Sequence, residues 1–499
     1  MKKILLIDCE SYFTSVALLE CGRIAEFYSE YADSRTLSGN IYKGKVTKIV
    51  SGLDSAFVDI GTDRPCFWEI SDINDSRTRL MSSAALPRGQ IIAKEGDYVM
   101  VQVTKEGTDV KGPKVSSNIS IAGHYAVYLY NVEFIGVSNK ITDSSARDRL
   151  TGLFTKLAPE GRGFIARTCS AEASDEEIAR EAGILIGLGE RLQKHWEDAS
   201  DIMLVHSEGN ILYRMVRDML SSDIESIYCN DRTVANDIKG IVDIYFPFFG
   251  GEVHYFDEPD DIYQYFGVGD EIQHINDRKV KLDGGGSLVI EKTEALTAID
   301  VNTGSFSGSD NHEETVFLNN LESVKEIARQ IRVRNVGGII VIDFVDMIDL
   351  SHREAIVDAL RRELVNDRCK TKILDMSEFG LVQITRQKNG KDFQTISETE
   401  CPFCRGLGQI YAPDYIARNI KTELKKLFAN KSVNRAAIHV NPHNFNHLFD
   451  SGLFEKDCKV VWHDRPVYAI ADWSLHVNDY YVVALQDWET VPEGSIKLT

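Results

Sequence analysis

The stretch that decides the fold runs from residue 294 to residue 344 and contains two apolar segments that each end in an aspartate. The first segment reads EALTAIDVNTG over residues 294–304, and the second reads IIVIDF over residues 339–344. Between them, apolar residues recur at steps of four and three, which predicts one apolar helix face made of Phe317, Leu321, Val324, Ala328 and Ile331. Gly337 and Gly338 are expected to end this helix. A strand, a helix and a second strand of these lengths predict a βαβ unit, so the two strands should be parallel.

Two aspartates are therefore expected side by side at the carboxyl ends of these strands, where α/β folds place their functional sites. Asp300 and Asp343 would repel each other, and Mg²⁺ relieves such repulsion while water and phosphate oxygens fill its other positions. Asn302 points to the same side as Asp300 and is expected to orient a carboxylate or a metal-bound water. We interpret this set as a Mg²⁺ site for phosphoryl chemistry, with aspartates that only cap loops as the alternative. Asp346 is expected to support the site or the fold.

A second informative region spans residues 38–120, where short alternating strands separated by glycines predict a small closed barrel. Three lysines follow one of its strands, at Lys43, Lys45 and Lys48. The alternation of residues 56–60 turns Phe57 outward, away from the apolar face. Outward rings stack on bases while lysines contact phosphates, so the barrel suits single-stranded RNA. The alternative is that Phe57 and Phe67 fill the barrel interior.

The pair Cys401 and Cys404, followed by glycines, has the spacing of a zinc knuckle. A structural zinc site needs four ligands, and the chain contains no second pair of this spacing. The simplest solution is a dimer in which each protomer contributes one pair to a shared zinc ion. A redox dithiol is one alternative, and completion of the site by His443 and His447 is another.

Composition sets the limits within which these motifs are interpreted. The chain has 499 residues and a net charge of −20. Its hydrophobic fraction of 43% excludes a disordered chain, and its length predicts roughly three domains. The acidic balance argues against a nucleic-acid-binding protein, but residues 38–120 carry +1 (eleven basic and ten acidic side chains). No segment has the length of a signal sequence or of a membrane span, so a soluble, cytoplasmic protein is expected.

Taken together, these motifs resemble those of the ribonuclease E/G family. In order and spacing the matches cover most of residues 1–411, and the tail from residue 412 is similar to the family's small domain only weakly. The matching stretches are residues 39–46, 56–61, 111–113, 163–168, 298–304, 326–332 and 337–347, followed by the knuckle that begins at Cys401.

The resemblance implies a Mg²⁺-dependent endoribonuclease that cuts single-stranded, AU-rich RNA and leaves 5′-phosphate and 3′-hydroxyl ends. It implies stimulation by a 5′-monophosphate on the RNA, in the maturation of ribosomal RNA, the decay of messenger RNA or both. It further implies a homodimer with one zinc ion per dimer, with pairing of dimers into a homotetramer left open. Because the chain stops at Thr499, the long scaffold arm of ribonuclease E, and with it a degradosome, is not expected.

The fold that the resemblance implies is a multidomain α+β fold. An RNase H-like subdomain would be split between residues 1–37 and 210–275. The remaining parts would be an OB-type RNA-binding barrel (38–120), a 5′-sensor (121–209), a DNase-like α/β catalytic subdomain (276–396), a zinc link (397–411) and a small α/β dimerisation domain (412–499).

The resemblance also assigns roles to individual residues. Asp300 and Asp343 match the metal ligands, and Asn302 matches the neighbouring catalytic asparagine. RNA contacts in the barrel are expected at Phe57, Phe67 and Lys111. The pocket for the 5′-monophosphate is expected at Gly123, Val127, Arg167 and Thr168, and the zinc ligands at Cys401 and Cys404.

Two departures from the family pattern bear on activity. Glu378 stands where a basic residue is usual, and Gln383 replaces a usual glutamate, so the cleavage rate or the preferred substrate is expected to differ. Two other classes of function are considered as well. One is a non-catalytic RNA-binding protein, and the other is a redox or zinc-storage protein centred on Cys401 and Cys404.

Overall fold

A computed structural model gives the architecture. It describes residues 3–32, 37–50, 55–69, 93–107, 111–209, 211–221, 223–246, 249–304, 312–365, 367–388, 390, 392–450, 465–491 and 493–498. The chain divides into two compact units, residues 1–396 and residues 397–499.

The first residues of the chain form an antiparallel meander of three strands, where the sequence predicts paired strands with a turn at Cys21, Gly22 and Arg23. These are β1 (Lys3–Cys9), β2 (Phe13–Glu20) and β3 (Arg23–Tyr31). The turn between β2 and β3 uses Cys21 and Gly22, both in the left-handed region with φ of 52° and 76°. This turn confirms the one predicted there.

The next five strands close into the predicted barrel. They are β4 (Ile41–Val50), β5 (Ser55–Asp59), β6 (Cys66–Glu69), β7 (Tyr98–Lys105) and β8 (Lys114–Ser116). The order β4-β5-β6-β8-β7 returns to β4 through a direct β4–β7 pairing. Gly44 allows the barrel to close tightly, because a Cβ atom there would lie 2.5 Å from Cγ1 of Val58.

A four-stranded sheet with two long helices follows the barrel. Its strands are β9 (Ser120–Ala122), β10 (Ala126–Leu129), β11 (Ile135–Val137) and β12 (Gly163–Ala166), in the order β11-β12-β10-β9. The helices are α1 (Ser144–Leu157) and α2 (Asp175–Asp198), with a short 3₁₀ turn at Thr168–Ala171. The sequence of residues 171–201 predicts a helix, which α2 confirms, and β13 (Met203–His206) then pairs with β4.

The following segment returns to the first sheet. It contains α3 (Ile211–Met219), β14 (Ile224–Cys229), α4 (Arg232–Tyr245), β15 (Glu252–Tyr255), α5 (Ile262–Tyr265) and α6 (Gly269–Gln273). Strand β14 pairs in parallel with β1 and with β15, which gives a mixed sheet of order β15-β14-β1-β2-β3. Two segments that lie far apart in sequence thus share one sheet. Its assignment as RNase H-like stays a prediction.

The predicted βαβ unit is confirmed in the next sheet. Its elements are β16 (Lys279–Lys281), β17 (Ser287–Lys292), β18 (Leu296–Asn302), α7 (His312–Val333), β19 (Gly338–Asp343), α8 (Leu350–Glu363), β20 (Thr371–Ile373) and β21 (Leu381–Arg386). The strand order is β16-β17-β18-β19-β21-β20, with β18 and β19 parallel. Apolar residues of α7 and α8, among them Val324, Ile331, Ile356 and Leu360, form one buried core with the strands.

The end of α7 differs from the prediction. The helix ends at Val333, and Asn335 adopts the left-handed conformation with φ of 51° before the glycine pair is reached. The N–H of Val336 donates to the carbonyl of Ile331 at 3.0 Å, which closes the last turn. Asparagine adopts this conformation more readily than most residues, so it ends the helix in place of Gly337.

The second unit is a small α/β domain. After α9 (Phe393–Ser397) come α10 (Pro413–Phe428), β22 (Arg435–Val440), α11 (Pro442–Asp450), β23 (Val467–Ala471), β24 (Tyr480–Leu485) and β25 (Ile496–Lys497). The strand order is β24-β22-β23-β25. Ile416, Ile420 and Leu424 of α10 pack into the core of this unit.

One buried ion pair ties together the sheet formed by β16–β21. Asp367, which is 1% exposed, accepts from Nε of Arg386 at 2.7 Å and from Nη2 at 3.0 Å. The remaining Nη1 of Arg386 donates to Asn335 and to the carbonyl of Val336, at 3.1 and 2.9 Å. Strand β21 is therefore joined to the loop after α8 and to the turn that ends α7.

We expect Asp367→Ala to destabilise the protein by about 3–5 kcal/mol, because Arg386 would keep a buried charge without its carboxylate. Asp358→Ala is the matched control, since Asp358 pairs with Arg361 at an exposed position of α8. That control should cost less than about 1 kcal/mol. Urea-induced unfolding followed by circular dichroism measures both, and similar small losses for the two variants would contradict the assignment.

Candidate functional site

Asp300 and Asp343 lie side by side on the open face of the sheet formed by β16–β21. The parallel register of β18 and β19 pairs the two residues directly. Their neighbours Ile299, Val301 and Ile342 point to the opposite face, where they are buried under the helices. Successive side chains of a strand point to opposite faces, so in each strand the aspartate that follows a buried isoleucine lies on the exposed face. The predicted juxtaposition of the two aspartates is confirmed.

Asn302 is also positioned as predicted. Its Nδ2 donates to Oδ2 of Asp300 at 2.7 Å. Because the two residues lie two positions apart on β18, both side chains emerge on the same face. The amide therefore holds one oxygen of the Asp300 carboxylate in place.

The charges at this edge repel one another. Partial burial raises the pKa of Asp343, and the neighbouring charges of Asp300 and Asp346 raise it further. A divalent cation would relieve this repulsion, and carboxylate oxygens are the ligands that Mg²⁺ prefers. No group of three or more His, Cys, Asp or Glu side chains in the described residues has the geometry of a complete metal site. Two carboxylates nevertheless fit Mg²⁺, which takes its other ligands from water and substrate.

Phe57 points away from the barrel interior, as the alternation predicts, and Phe67 lies beside it. The rings of Phe57 and Phe67 meet edge to face with centroids 6.1 Å apart, on the paired strands β5 and β6. Both side chains are half-buried, whereas the adjacent Ala56 and Trp68 are buried inside. Lys111 is exposed in the loop before β8, three residues ahead of the point where β8 pairs with Phe67.

The three lysines of β4 do not form the exposed row that the sequence suggests. Lys43 is half-buried, and its Nζ donates to the carbonyls of Trp196 and Ala199 at 3.2 and 2.6 Å. The same ammonium lies 4.6 Å from the centroid of the Trp196 ring. Lys43 therefore binds the carboxyl-terminal end of α2, where a cation is favoured by the helix dipole. Lys45 and Lys48 remain exposed.

The predicted 5′-phosphate residues meet between β10 and β12. Nη1 of Arg167 donates to the carbonyl of Gly123 at 2.6 Å, and Val127 on β10 pairs with the strand that leads to Arg167. Thr168 follows at the start of the 3₁₀ turn, with its hydroxyl 3.1 Å from that of Ser138. The structure thus brings Arg167, Thr168 and Gly123 to one end of the sheet, with Val127 on the neighbouring strand.

Two residues at this end had no assigned role in the sequence interpretation. The carboxylate of Glu181 accepts from the N–H groups of His124, Tyr125 and Ala126, the last two at 2.8 and 3.0 Å. Asp218 accepts from Nη1 of Arg167 at 2.7 Å. Glu181 holds the turn behind Gly123 against α2, and Asp218 holds Arg167 against α3.

Comparison with known proteins identifies the family of this chain. A sequence model of the Ribonuclease E/G family matches residues 120–389. Ribonuclease G of Haemophilus influenzae is 32% identical over 443 residues, covering 88% of this chain and 90% of that protein. The chain belongs to the ribonuclease E/G family. Ribonuclease G of Escherichia coli strain K12 is 30% identical with the same coverage. Ribonuclease E of that strain is 32% identical over 413 residues, which are 82% of this chain and 39% of that protein.

Membership of the ribonuclease E/G family confirms the family and the enzyme class, endoribonuclease, that the sequence predicts. The mixed α+β fold with its closed barrel agrees with this family. The finer subdomain names stay predictions. Among the helices of the described residues, none combines the length and the apolar composition needed to cross a lipid bilayer.

The cysteine pair lies in a tight turn of the second unit. The N–H of Gly408 donates to Sγ of Cys404 at 3.2 Å, and Arg405 and Gly406 both have positive φ. Hydrogen bonds from the N–H groups of Cys404 and Phe403 lower the pKa of the Cys401 thiol. This turn favours the thiolate of Cys401, and a thiolate is the form that binds zinc.

The two histidines proposed as alternative ligands have other contacts. His447 lies with Nε2 2.7 Å from a carboxylate oxygen of Asp414, and the ring of His443 packs edge-on against Phe403 at 5.6 Å. Neither belongs to a metal-binding group of three or more His, Cys, Asp or Glu side chains among the described residues. The shared site between protomers stays a prediction.

The two departures from the family pattern lie on β21 and in the turn before it, beside the strand that carries Asp343. Gln383 on β21 is exposed and pairs with Val341, two residues before Asp343. Glu378 is exposed in the turn before β21. In the same turn Phe379 is 83% exposed, and a Cβ on Gly380 would lie 3.3 Å from Oδ1 of Asp346.

Proposed function

We propose that this ribonuclease E/G family member is a Mg²⁺-dependent endoribonuclease that cuts single-stranded, AU-rich RNA. The observation that carries the proposal is the direct pairing of Asp300 with Asp343, with Asn302 bonded to Asp300. Water attack at phosphorus, with the 3′-oxygen as leaving group, gives 5′-phosphate and 3′-hydroxyl ends. Maturation of ribosomal RNA and decay of messenger RNA are the processes in which we place it, in the cytoplasm.

In the proposed mechanism Asp300 and Asp343 hold the metal ion and Asn302 fixes the orientation of the Asp300 carboxylate. When bound, Mg²⁺ would polarise a phosphoryl oxygen and make a neighbouring water more acidic. The two carboxylates lie on the open face of the sheet, so a strand of RNA can reach them without entering the core. Asp346 adds negative charge beside Asp343, which strengthens cation binding at this edge.

The barrel is the proposed surface for the body of the RNA. Phe57 and Phe67 offer adjacent ring faces, and stacking of one base on an aromatic ring contributes about 1–3 kcal/mol. Lys111 is the expected phosphate contact next to them. Because every base has a stacking face, this surface accepts many sequences.

The end of the sheet formed by β10 and β12 is the proposed pocket for a 5′-monophosphate, which stimulates cleavage. Arg167 can contact two phosphate oxygens at once, and the hydroxyl of Thr168 can donate a further hydrogen bond. Gly123 lies against Arg167 through its carbonyl, and Val127 lies on the neighbouring strand. A 5′-hydroxyl RNA lacks the charge that this pocket recognises.

The proposed assembly is a homodimer in which Cys401 and Cys404 of two protomers hold one zinc ion. The support is the turn at this pair, which lowers the pKa of the Cys401 thiol and donates an N–H to Sγ of Cys404. Each protomer then supplies half of a closed four-thiolate site. Pairing of two such dimers into a homotetramer is compatible with the same link.

Substitution of Asp343 tests the proposed catalytic edge, which is the exposed edge that carries Asp300 and Asp343. Asp343→Asn should lower the rate of Mg²⁺-dependent cleavage about 100-fold or more, because an amide no longer offers the charge that binds the cation. RNA binding, measured by fluorescence anisotropy, should persist. The control Asp358→Asn changes an exposed aspartate on α8 and should cleave at the wild-type rate.

Cleavage by Asp343→Asn at the wild-type rate would show that the assigned site is wrong. If the unmodified protein bound single-stranded RNA and never cut it with Mg²⁺ present, the chain would instead be a non-catalytic RNA-binding protein.

The zinc content of the protein tests the proposed shared site. The purified protein should contain about 0.5 zinc per protomer, and Cys404→Ser should lose zinc and the dimer together. Cys21→Ser is the control, because Cys21 is an exposed cysteine in the turn after β2. Elemental analysis with light scattering measures both quantities. One zinc per protomer, or no zinc with a titratable dithiol, would contradict the shared site.

A further inference from the structure

Asp218 on α3 joins two arginines from different parts of the chain. Its Oδ1 accepts from Nη1 of Arg167 at 2.7 Å and from Nε of Arg217 at 3.1 Å, and its Oδ2 accepts from Nη2 of Arg217 at 3.0 Å. Burial raises the pKa of this carboxyl, but the charges of Arg217 and Arg167 outweigh burial and lower it to about 2. Asp218 therefore carries a full negative charge at neutral pH.

This contact fixes how the guanidinium of Arg167 is turned. Nη1 uses its two protons on Asp218 and on the carbonyl of Gly123. Nε and Nη2 of Arg167 donate to no protein atom in the described part of the chain, and 32% of the side chain is exposed. These two nitrogens form the edge that matches two oxygens of a phosphate. Asp218 thus occupies the inner nitrogen and leaves that edge for a ligand.

The backbone that carries Asp218 is held from the catalytic subdomain. Arg368, in the loop after α8, donates to the carbonyls of Asp218 and Met219. Its Nε donates to Oε2 of the buried Glu26 at 3.1 Å. Glu26 also accepts from Nη2 of Arg332 on α7 at 3.0 Å. Asp218 is therefore a fixed point, and a side chain that it binds is fixed with it.

A carboxylate beside an arginine can act on an incoming phosphate in two opposite ways. It can compete for the guanidinium, or it can hold the guanidinium in the orientation that the phosphate needs. Here Asp218 contacts only Nη1 of Arg167 and shares its charge with Arg217. A phosphate on the Nε–Nη2 edge does not have to displace it, so the geometry favours the second way.

We propose that Asp218 is a positioning residue for the 5′-phosphate site, which holds Arg167 with its Nε–Nη2 edge towards the phosphate of the RNA. The inference rests on the proposed function, in which Arg167 binds that phosphate. Asp218 itself does not touch the RNA. Its effect is on how well the enzyme distinguishes a 5′-monophosphate from a 5′-hydroxyl.

The test compares two RNAs of identical sequence, one with a 5′-monophosphate and one with a 5′-hydroxyl, on the full-length protein with Mg²⁺. Asp218→Asn should lower the ratio of their kcat/KM values about tenfold, because a neutral amide binds a guanidinium more weakly than a carboxylate does. The loss should lie in the KM of the monophosphorylated RNA. Since both RNAs meet the same preparation, a smaller folded fraction cancels from the ratio.

Asp358→Asn is again the matched control, because Asp358 also accepts from an arginine, Arg361, at 3.0 Å. Its ratio should equal that of the unmodified protein. A second measurement separates recognition from cleavage. In proteins that also carry Asp343→Asn, the ratio of dissociation constants for the two RNAs should fall when Asp218→Asn is added.

Two results would overturn the inference, and they are distinguishable. If the unmodified protein prefers the monophosphorylated RNA and Asp218→Asn keeps or increases that preference, Asp218 does not position Arg167 and the proposed 5′-phosphate site stands. An increase would identify Asp218 as a competitor of the phosphate. If the unmodified protein shows no preference, the proposed 5′-phosphate site and the inference both fall.

Discussion

The parallel pairing of β18 with β19 is the constraint on which the rest of the structure depends. It sets Asp300 directly beside Asp343 on the open face of the sheet, while the alternating apolar residues form the core under α7 and α8. Hydrophobic burial on one face thus holds two like charges together on the other. In the proposed function a bound Mg²⁺ ion would relieve this repulsion and would also activate water.

Charge is distributed so that an acidic chain can still bind RNA. The chain carries a net charge of −20. Some of its carboxylates are neutralised by arginines inside the fold, as in the pair of Asp367 with Arg386 and the pair of Glu26 with Arg332. The acids beside Asp300 and Asp343 are those that the proposed cation would require. In the proposed function, RNA recognition rests on local features, the aromatic pair on the barrel and the guanidinium of Arg167. Weak general attraction and strong local contacts favour selectivity over non-specific binding.

Local sequence patterns predicted the parts of the fold that depend on the alternation of strand residues or on the spacing of helix residues. The βαβ unit, the closed barrel and the outward turn of Phe57 all follow from alternation or helical spacing within a few dozen residues. The contacts of Lys43 and Arg167 could not be predicted from local patterns. Trp196 lies 153 residues from Lys43, and Asp218 lies 51 residues from Arg167. The sequence interpretation missed that Asn335 stops α7, because glycine is the stronger signal for a helix end.

The central claim is that two carboxylates act as one unit on one cation. Cleavage rates of the unmodified protein, Asp300→Asn, Asp343→Asn and the double variant, at a saturating Mg²⁺ concentration, test this most directly. If the two residues hold one ion, removing either should cost nearly as much as removing both. Losses that multiply, with the double variant slower by the product of the two single effects, would contradict the shared site.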